Sequence, residues 1–238
     1  MATELASTWT RTDNIPYTQE TWTREDAFHE SFLIPKDDAL SFAVSNTIAN
    51  GLPDISVSPA FGKFLYLVAM SIGAKRILEV GTLGGYSAMW QARALPVDGE
   101  VVCLELLDKH AKVARENLVR AGPEIAGRVK IIVGCARESI TQLKPEPAPF
   151  DLVFLDADKD GLLTYYREAK RLVRSGGVIL IDCMVRRGEV SDLSYTDSNN
   201  TKVRELLQVI KDDKEVEATT IGMAGVRGYD GFTYVVRK

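Results

Sequence analysis

Arg76-Ile-Leu-Glu-Val-Gly-Thr-Leu-Gly-Gly-Tyr-Ser87 is the stretch on which the fold of this chain turns. An apolar run ends in Glu79 and Val80, breaks into Gly81, Gly84 and Gly85, and gives way to helix-compatible sequence over residues 86–95. That order predicts a buried strand, a glycine-rich turn and a helix N-terminus, an arrangement that lets backbone approach a nucleotide-like ligand closely. The glycine spacing is Gly-x-x-Gly-Gly, so the Gly-x-Gly-x-x-Gly pattern of dinucleotide binders fails at Leu83.

Downstream, strands and helices alternate. Strands are expected at 76–80, 101–105, 129–133, 151–156 and 178–182, with helices at 86–95, 108–121, 138–143 and 161–173. Near-continuous apolar runs such as Leu152-Val-Phe-Leu155 and Val178-Ile-Leu-Ile181 suit a parallel sheet covered on both faces. The alternation predicts an α/β fold with a doubly wound, mostly parallel sheet. A helix near 202–211 and strands at 216–221 and 232–236, with Gly228-Tyr-Asp-Gly231 between them, would close it with a C-terminal antiparallel hairpin as the sixth and seventh strands. Upstream, residues 1–30 read as an N-terminal extension of little periodicity, a lid or a dimer arm, carrying Trp9, Tyr17 and Trp22. Residues 31–50 read as one helix, broken by Gly51-Leu-Pro-Asp54. Ser58 and Pro59 open another, with Phe61, Phe64, Leu65, Val68 and Ala69 at apolar spacing. Residues 31–238 then make one domain.

With 238 residues, 45% hydrophobic and 26% charged, the chain has the composition of a soluble globular protein. A formal charge of −4 argues against nucleic acid as the partner, because no basic excess exists to neutralise phosphates. No apolar run approaches the ~20 residues of a membrane span. The polar N-terminus lacks the apolar core of a secretory signal. Cys103, Cys135 and Cys183, odd in number and widely spaced, fit a reducing, cytoplasmic setting.

In such a sheet, ligands gather at the carboxyl ends of the strands. Glu79 would aim a carboxylate into the glycine turn, repelling a pyrophosphate and welcoming a sulfonium, which favours S-adenosylmethionine over NAD. Glu105 follows Gly85 by 20 residues, a distance that suits an acid bonding ribose hydroxyls; it would otherwise be a solvated loop acid. Gly134-Cys135-Ala136 could admit a flat adenine or be a plain turn. Asp156-Ala-Asp158-Lys159-Asp160 and Asp182-Cys183 end the fourth and fifth strands. On neighbouring strands, Asp156 and Asp182 would repel unless they bind a cation or share a proton. Lys159 is then a candidate base. The bland alternative is a helix-start acid cluster beside a solvated lysine.

These motifs, in order, resemble the class I S-adenosylmethionine-dependent O-methyltransferases, specifically the cation-dependent catechol and caffeoyl-CoA O-methyltransferase-like family. The resemblance is carried by Glu79-Val-Gly-Thr-Leu-Gly-Gly-Tyr-Ser87, Phe154-Leu-Asp-Ala-Asp-Lys159 and Gly176-Gly-Val-Ile-Leu-Ile-Asp182, with Gly228-Tyr-Asp-Gly-Phe232 as the ending. It implies a Rossmann-like fold, a small-molecule acceptor, a homodimer and a place in secondary metabolism. It also implies that Val57, Glu79, Gly81, Thr82, Ser87, Glu105, Ala136, Asp156 and Asp158 hold S-adenosylmethionine. By the same likeness Asp156, Asp182 and position 183 hold a divalent cation, Mg²⁺ in the family. Lys159 would be the base, with Asp156 beside it, and Lys159 and Arg187 would face the substrate.

The chain departs from the family at three of these places. Cys183 replaces an Asn, and a thiol is a poor magnesium ligand. Phe61 stands where Glu or Gln is usual, and Val57 where a cofactor-bonding Thr is common. The expected reaction is methylation of a catechol-like hydroxyl with cation assistance. The rivals are metal-free ester formation on a small carboxylic acid oriented by Arg187, or a non-catalytic S-adenosylmethionine-binding protein.

Overall fold

A computed structural model describes residues 18–238; the aromatic positions Trp9 and Tyr17 lie outside the described residues. Five strands, β1 (Arg76–Val80), β2 (Glu100–Glu105), β3 (Val129–Val133), β4 (Phe150–Leu155) and β5 (Val173–Ile181), pair in parallel. The antiparallel hairpin of β6 (Val216–Gly225) and β7 (Gly228–Arg237) closes the sheet. The strand order β3-β2-β1-β4-β5-β7-β6 is the doubly wound, seven-stranded arrangement expected from the sequence. It reverses between β1 and β4, which opens a crevice at the carboxyl ends of those strands.

Side-chain alternation along the strands divides the core in two. Leu78, Val80, Val153, Leu155, Ile179 and Ile181 face one layer, made by α7 (Ala136–Gln142), α8 (Leu162–Leu172) and α9 (Ser198–Asp212). Ile77, Val101, Cys103, Leu152 and Phe154 face the other, made by α3 (Pro59–Ser71) and α4 (Tyr86–Ala94). Glu79 shares the parity of Ile77 and therefore points into this second apolar layer, fully buried. The remaining helices are α1 (Gln19–Leu33), α2 (Asp38–Ala49), α5 (Asp108–Arg120) and the short α6 (Pro123–Arg128). No helix among the described residues is long and apolar enough to cross a membrane.

Four expectations need correction. The single helix at 31–50 is two helices, because Pro35 disfavours helical backbone at Ile34 and Asp37 starts a new cap, accepting from the Leu40 amide at 2.9 Å. The extension read as aperiodic carries α1, which runs across position 30. Strand β5 starts at Val173, and residues 174–177 loop out opposite Asp151, whose carboxylate takes the Arg174 Nε at 2.6 Å. The hairpin turn is at Val226-Arg227 and not at 228–231, since Gly225 pairs with Gly228 and the four residues lie within β7. Gly231 is needed there for closeness: a Cβ would run into the Ile221 carbonyl oxygen.

Candidate active site

The glycine turn is built by near-contact. A side chain at Gly81, whose φ is 92°, would strike the carbonyl oxygen of Asp156 at the tip of β4. Gly84 leaves no room beside Thr47, and Asn117 of α5 donates to the Gly84 carbonyl at 2.8 Å. Gly85, at φ 77°, starts α4. Asn117 is fully buried and is one of the residues missed in the sequence.

Glu105 at the end of β2 completes the turn. One carboxylate oxygen accepts from the Thr82 and Leu83 amides at 3.1 and 2.9 Å; the other takes the Leu107 amide at 3.0 Å and lies 3.3 Å from His110 Nδ1. Glu79 sits beneath the turn and not in it. Its carboxyl is bonded by Gln91, by Ser87 and, at 3.7 Å, by the Cys103 thiol; burial pushes its pKa up to about 8.

Two cavities open over these elements. The first, about 400 Å³, is lined by the turn (Gly81, Thr82, Leu83), Ser87, Glu105, His110 and Asp156. The second, about 470 Å³, is bordered by Phe61, Met223, Arg227 and Asp230. They share the wall formed by Ile55, Ser56, Val57, Asp182 and Cys183.

That wall concentrates charge. The Asp182 amide donates to the Leu155 carbonyl at 2.9 Å, which holds the tips of β4 and β5 in step. A carboxylate oxygen from Asp156, one from Asp182 and the Cys183 sulfur all lie within 4.8 Å of one another. Burial, and then the neighbouring Asp156, raise Asp182 to about 7; burial also raises Asp156, opposed by the Lys159 ammonium. Lys159, 6% exposed, donates its Nζ to the main-chain carbonyl of Asp182 at 2.9 Å. The Cys183 thiol, buried among acids, is pushed well up and donates to Asp182 at 3.7 Å.

Of the sequence-derived site residues, Val57, Gly81, Thr82, Ser87, Glu105, Asp156, Asp182 and Cys183 line these cavities, and Lys159 lies against them through Asp182. Ala136 and Asp158 line neither cavity. Ala136 packs in the core, and Asp158 braces the turn before α8, accepting from the Gly161 amide at 2.7 Å and the Tyr165 hydroxyl at 2.6 Å. Arg187 is exposed and lines neither. The cation at the second cavity is Arg227 from the hairpin turn, paired with Asp54 at 2.8 Å, and Asp230 beside it went unnoticed as a single site residue.

A doubly wound sheet with this strand order, a glycine turn after β1 and an acid ending β2 defines a class I S-adenosylmethionine-dependent methyltransferase. The sequence model of the O-methyltransferase family matches residues 34–238, and the chain belongs to that family. It is 44% identical over 207 residues to a catechol O-methyltransferase from Mycobacterium tuberculosis, covering 87% of this chain and 92% of that one. Among solved structures, it resembles an O-methyltransferase from Bacillus cereus in complex with S-adenosylhomocysteine (TM-score 0.89, 42% identity, covering 93% of this chain and 100% of that one). It also resembles TomG from Streptomyces achromogenes, involved in tomaymycin synthesis and solved with S-adenosylmethionine (TM-score 0.89, 39% identity, covering 94% and 100%).

Proposed function

We propose that this O-methyltransferase moves the methyl group of S-adenosylmethionine to a phenolic oxygen of a catechol-like acceptor, with a divalent cation assisting. The observation that carries the reading is the meeting of two half-buried carboxylates, Asp182 on the wall common to both cavities and Asp156 beside it in the first, with the buried Lys159 amine held on the Asp182 carbonyl.

The donor set fits a hard cation. Asp156 and Asp182 offer carboxylate oxygens, suited to magnesium, and two half-buried acids side by side concentrate charge that a cation would neutralise. Cys183 fits less well, because its surroundings keep the thiol protonated. When bound, the cation would ease ionisation of the acceptor hydroxyl, and the sulfonium donor brings a methyl already electrophilic. The chain's own residues do the rest. Glu105, oriented by the Thr82 and Leu83 amides, holds the nucleoside, with Ser87, Val57 and Asp156 around it. Ile55 and Val57 give the wall between the cavities its apolar surface, and Phe61 does the same inside the second cavity. Lys159, its Nζ fixed on the Asp182 carbonyl, accepts the phenolic proton when in its neutral amine form and becomes the ammonium as the phenolate forms. Oriented approach of the two reactants supplies much of the acceleration.

A methylation screen over catechols, other phenols and carboxylic acids, run with Mg²⁺, with Zn²⁺ and with chelator, tests this. Turnover of catechols that needs a divalent cation is expected. Full activity of the Lys159→Met protein in EDTA would remove both base and metal. Turnover of carboxylic acids alone would replace the reading with ester formation, which has lost the support of Arg187.

The N-terminal segment fits a lid that also serves a homodimer. Gln19 of α1 borders the second cavity and donates to the Gly225 carbonyl at 2.8 Å. The same helix exposes Phe28, Phe32 and Leu33 at 58, 72 and 68%. Light scattering should give twice the mass of one chain, and one chain for a Phe32→Glu variant.

A further inference from the structure

The backbone after β5 takes an unfavourable path. Cys183, Arg186 and Arg187 have φ of 58°, 51° and 59°, the left-handed region that residues with a Cβ rarely adopt. No glycine relieves the segment before Gly188. The support comes from β7. A single carboxylate oxygen of Asp230 accepts from the amides of Val185 at 3.0 Å, Arg186 at 2.7 Å and Gly231 at 2.8 Å, while the Met184 amide donates to the Gly231 carbonyl at 2.8 Å. Charged acceptors bind amides more strongly than neutral ones, and a pinned turn of this kind persists when its surroundings over-determine it.

On the acceptor-site reading proposed for the second cavity, we propose that Asp230 is a positioning residue for methyl transfer, whose carboxylate pins the turn that aims Asp182 and Cys183 at the acceptor. Asp230 borders the second cavity and the space beneath the hairpin, but not the cavity at the glycine turn. Its side chain reaches only the second cavity, so its loss falls first on the acceptor and only secondarily, through the shared Asp182–Cys183 wall, on S-adenosylmethionine. A sequence separation of more than forty residues keeps this pairing out of any local motif.

Asp230→Ala and Asp230→Asn variants of the full chain separate the roles, because Asn keeps an oxygen in place and gives up the charge. Three measurements apply to each: hydrogen exchange of the peptide covering 183–188, calorimetric affinity for S-adenosylhomocysteine, and methylation of 3,4-dihydroxybenzoate with the ratio of its two monomethyl isomers. The Ala variant is expected to exchange faster at 183–188, lose about 10–100-fold in kcat/KM for the acceptor, lose less than that in affinity for S-adenosylhomocysteine, and drift toward equal isomers. The Asn variant should retain protection and isomer ratio. Parent-like exchange in the Ala protein, or an Asn protein as impaired as the Ala one, overturns the proposal. If the parent methylates no catechol, the catechol reading fails, while the exchange data still decide whether Asp230 holds the turn.

Discussion

Lys159 and Asp182 are joined side chain to main chain: the lysine Nζ donates to the Asp182 carbonyl at 2.9 Å, spanning the tips of β4 and β5. The bond points the amine while leaving the Asp182 carboxylate free for other work. If Lys159 is the proposed base, its loss should matter to the chemical step and little to cofactor binding. Lys159→Met is expected to lower kcat by about 10²–10⁴-fold, the range for a positioned base. Steady-state kinetics and S-adenosylhomocysteine titration check it; equal losses in both would make the lysine a binding residue.

Burial also gives the site a pH signature. Glu79 is raised from 4.5 to about 8 and Asp182 from 3.8 to about 7, each mainly by burial. The folded chain then holds protons that the unfolded chain has released. The stability linked to these acids is complete below their ordinary values and is lost as pH climbs through 7 and 8. Without metal, the melting temperature should decline steadily between about pH 5 and pH 8.5, and on the proposed metal reading Mg²⁺ should flatten the decline by binding the ionised form. A metal-free melting temperature that rises over that window contradicts this.

The closeness of β1 and β4 can be tested at one atom. Gly81 combines φ of 92° with the Asp156 carbonyl where its Cβ would go. Gly81→Ala must either strain that conformation, at about 1–3 kcal/mol, or push the two strand tips apart. The expected result is a lower melting temperature together with lost affinity for S-adenosylhomocysteine. An alanine variant that binds as the parent does would mean the tips can separate freely.

Legibility in the sequence followed the range of the interactions. The β1 turn was readable because its glycines serve local geometry, and the strands because burial on both faces forces continuous apolar runs. Helix α1 left no signal, since it buries none of its residues and so needs no apolar stripe. Gly228 and Gly231 looked like a turn but serve a close-packed ribbon, with Gly228 at φ 96° directly after the true turn. Asn117 and His110 act through a bond to a distant part of the chain or through a cavity wall, and nothing in their own neighbourhoods marks them; Asp230 lies in the 228–232 motif, which does not reveal its bonds to the 185 and 186 amides. Arg187 and Arg227 differ only in where the chain carries them, and the hairpin delivers the latter to the cavity.

Position 183 offers the sharpest chemical test of the metal reading. Cys183 is held at φ 58°, a conformation Asn tolerates better than most residues, and its thiol is a soft donor beside two hard carboxylates. Cys183→Asn should therefore act in two ways at once. Relief of left-handed strain is worth about 1 kcal/mol, or roughly 2–4 °C in melting temperature for a chain of this size. The amide oxygen adds a hard donor, so the Mg²⁺ concentration for half-maximal activity should fall while any Zn²⁺ preference weakens. Melting curves in EDTA isolate the first effect and metal titrations the second. If the variant gains stability but its Mg²⁺ response is unchanged, the side chain at 183 does not reach the cation, and Asp156 and Asp182 must hold it alone.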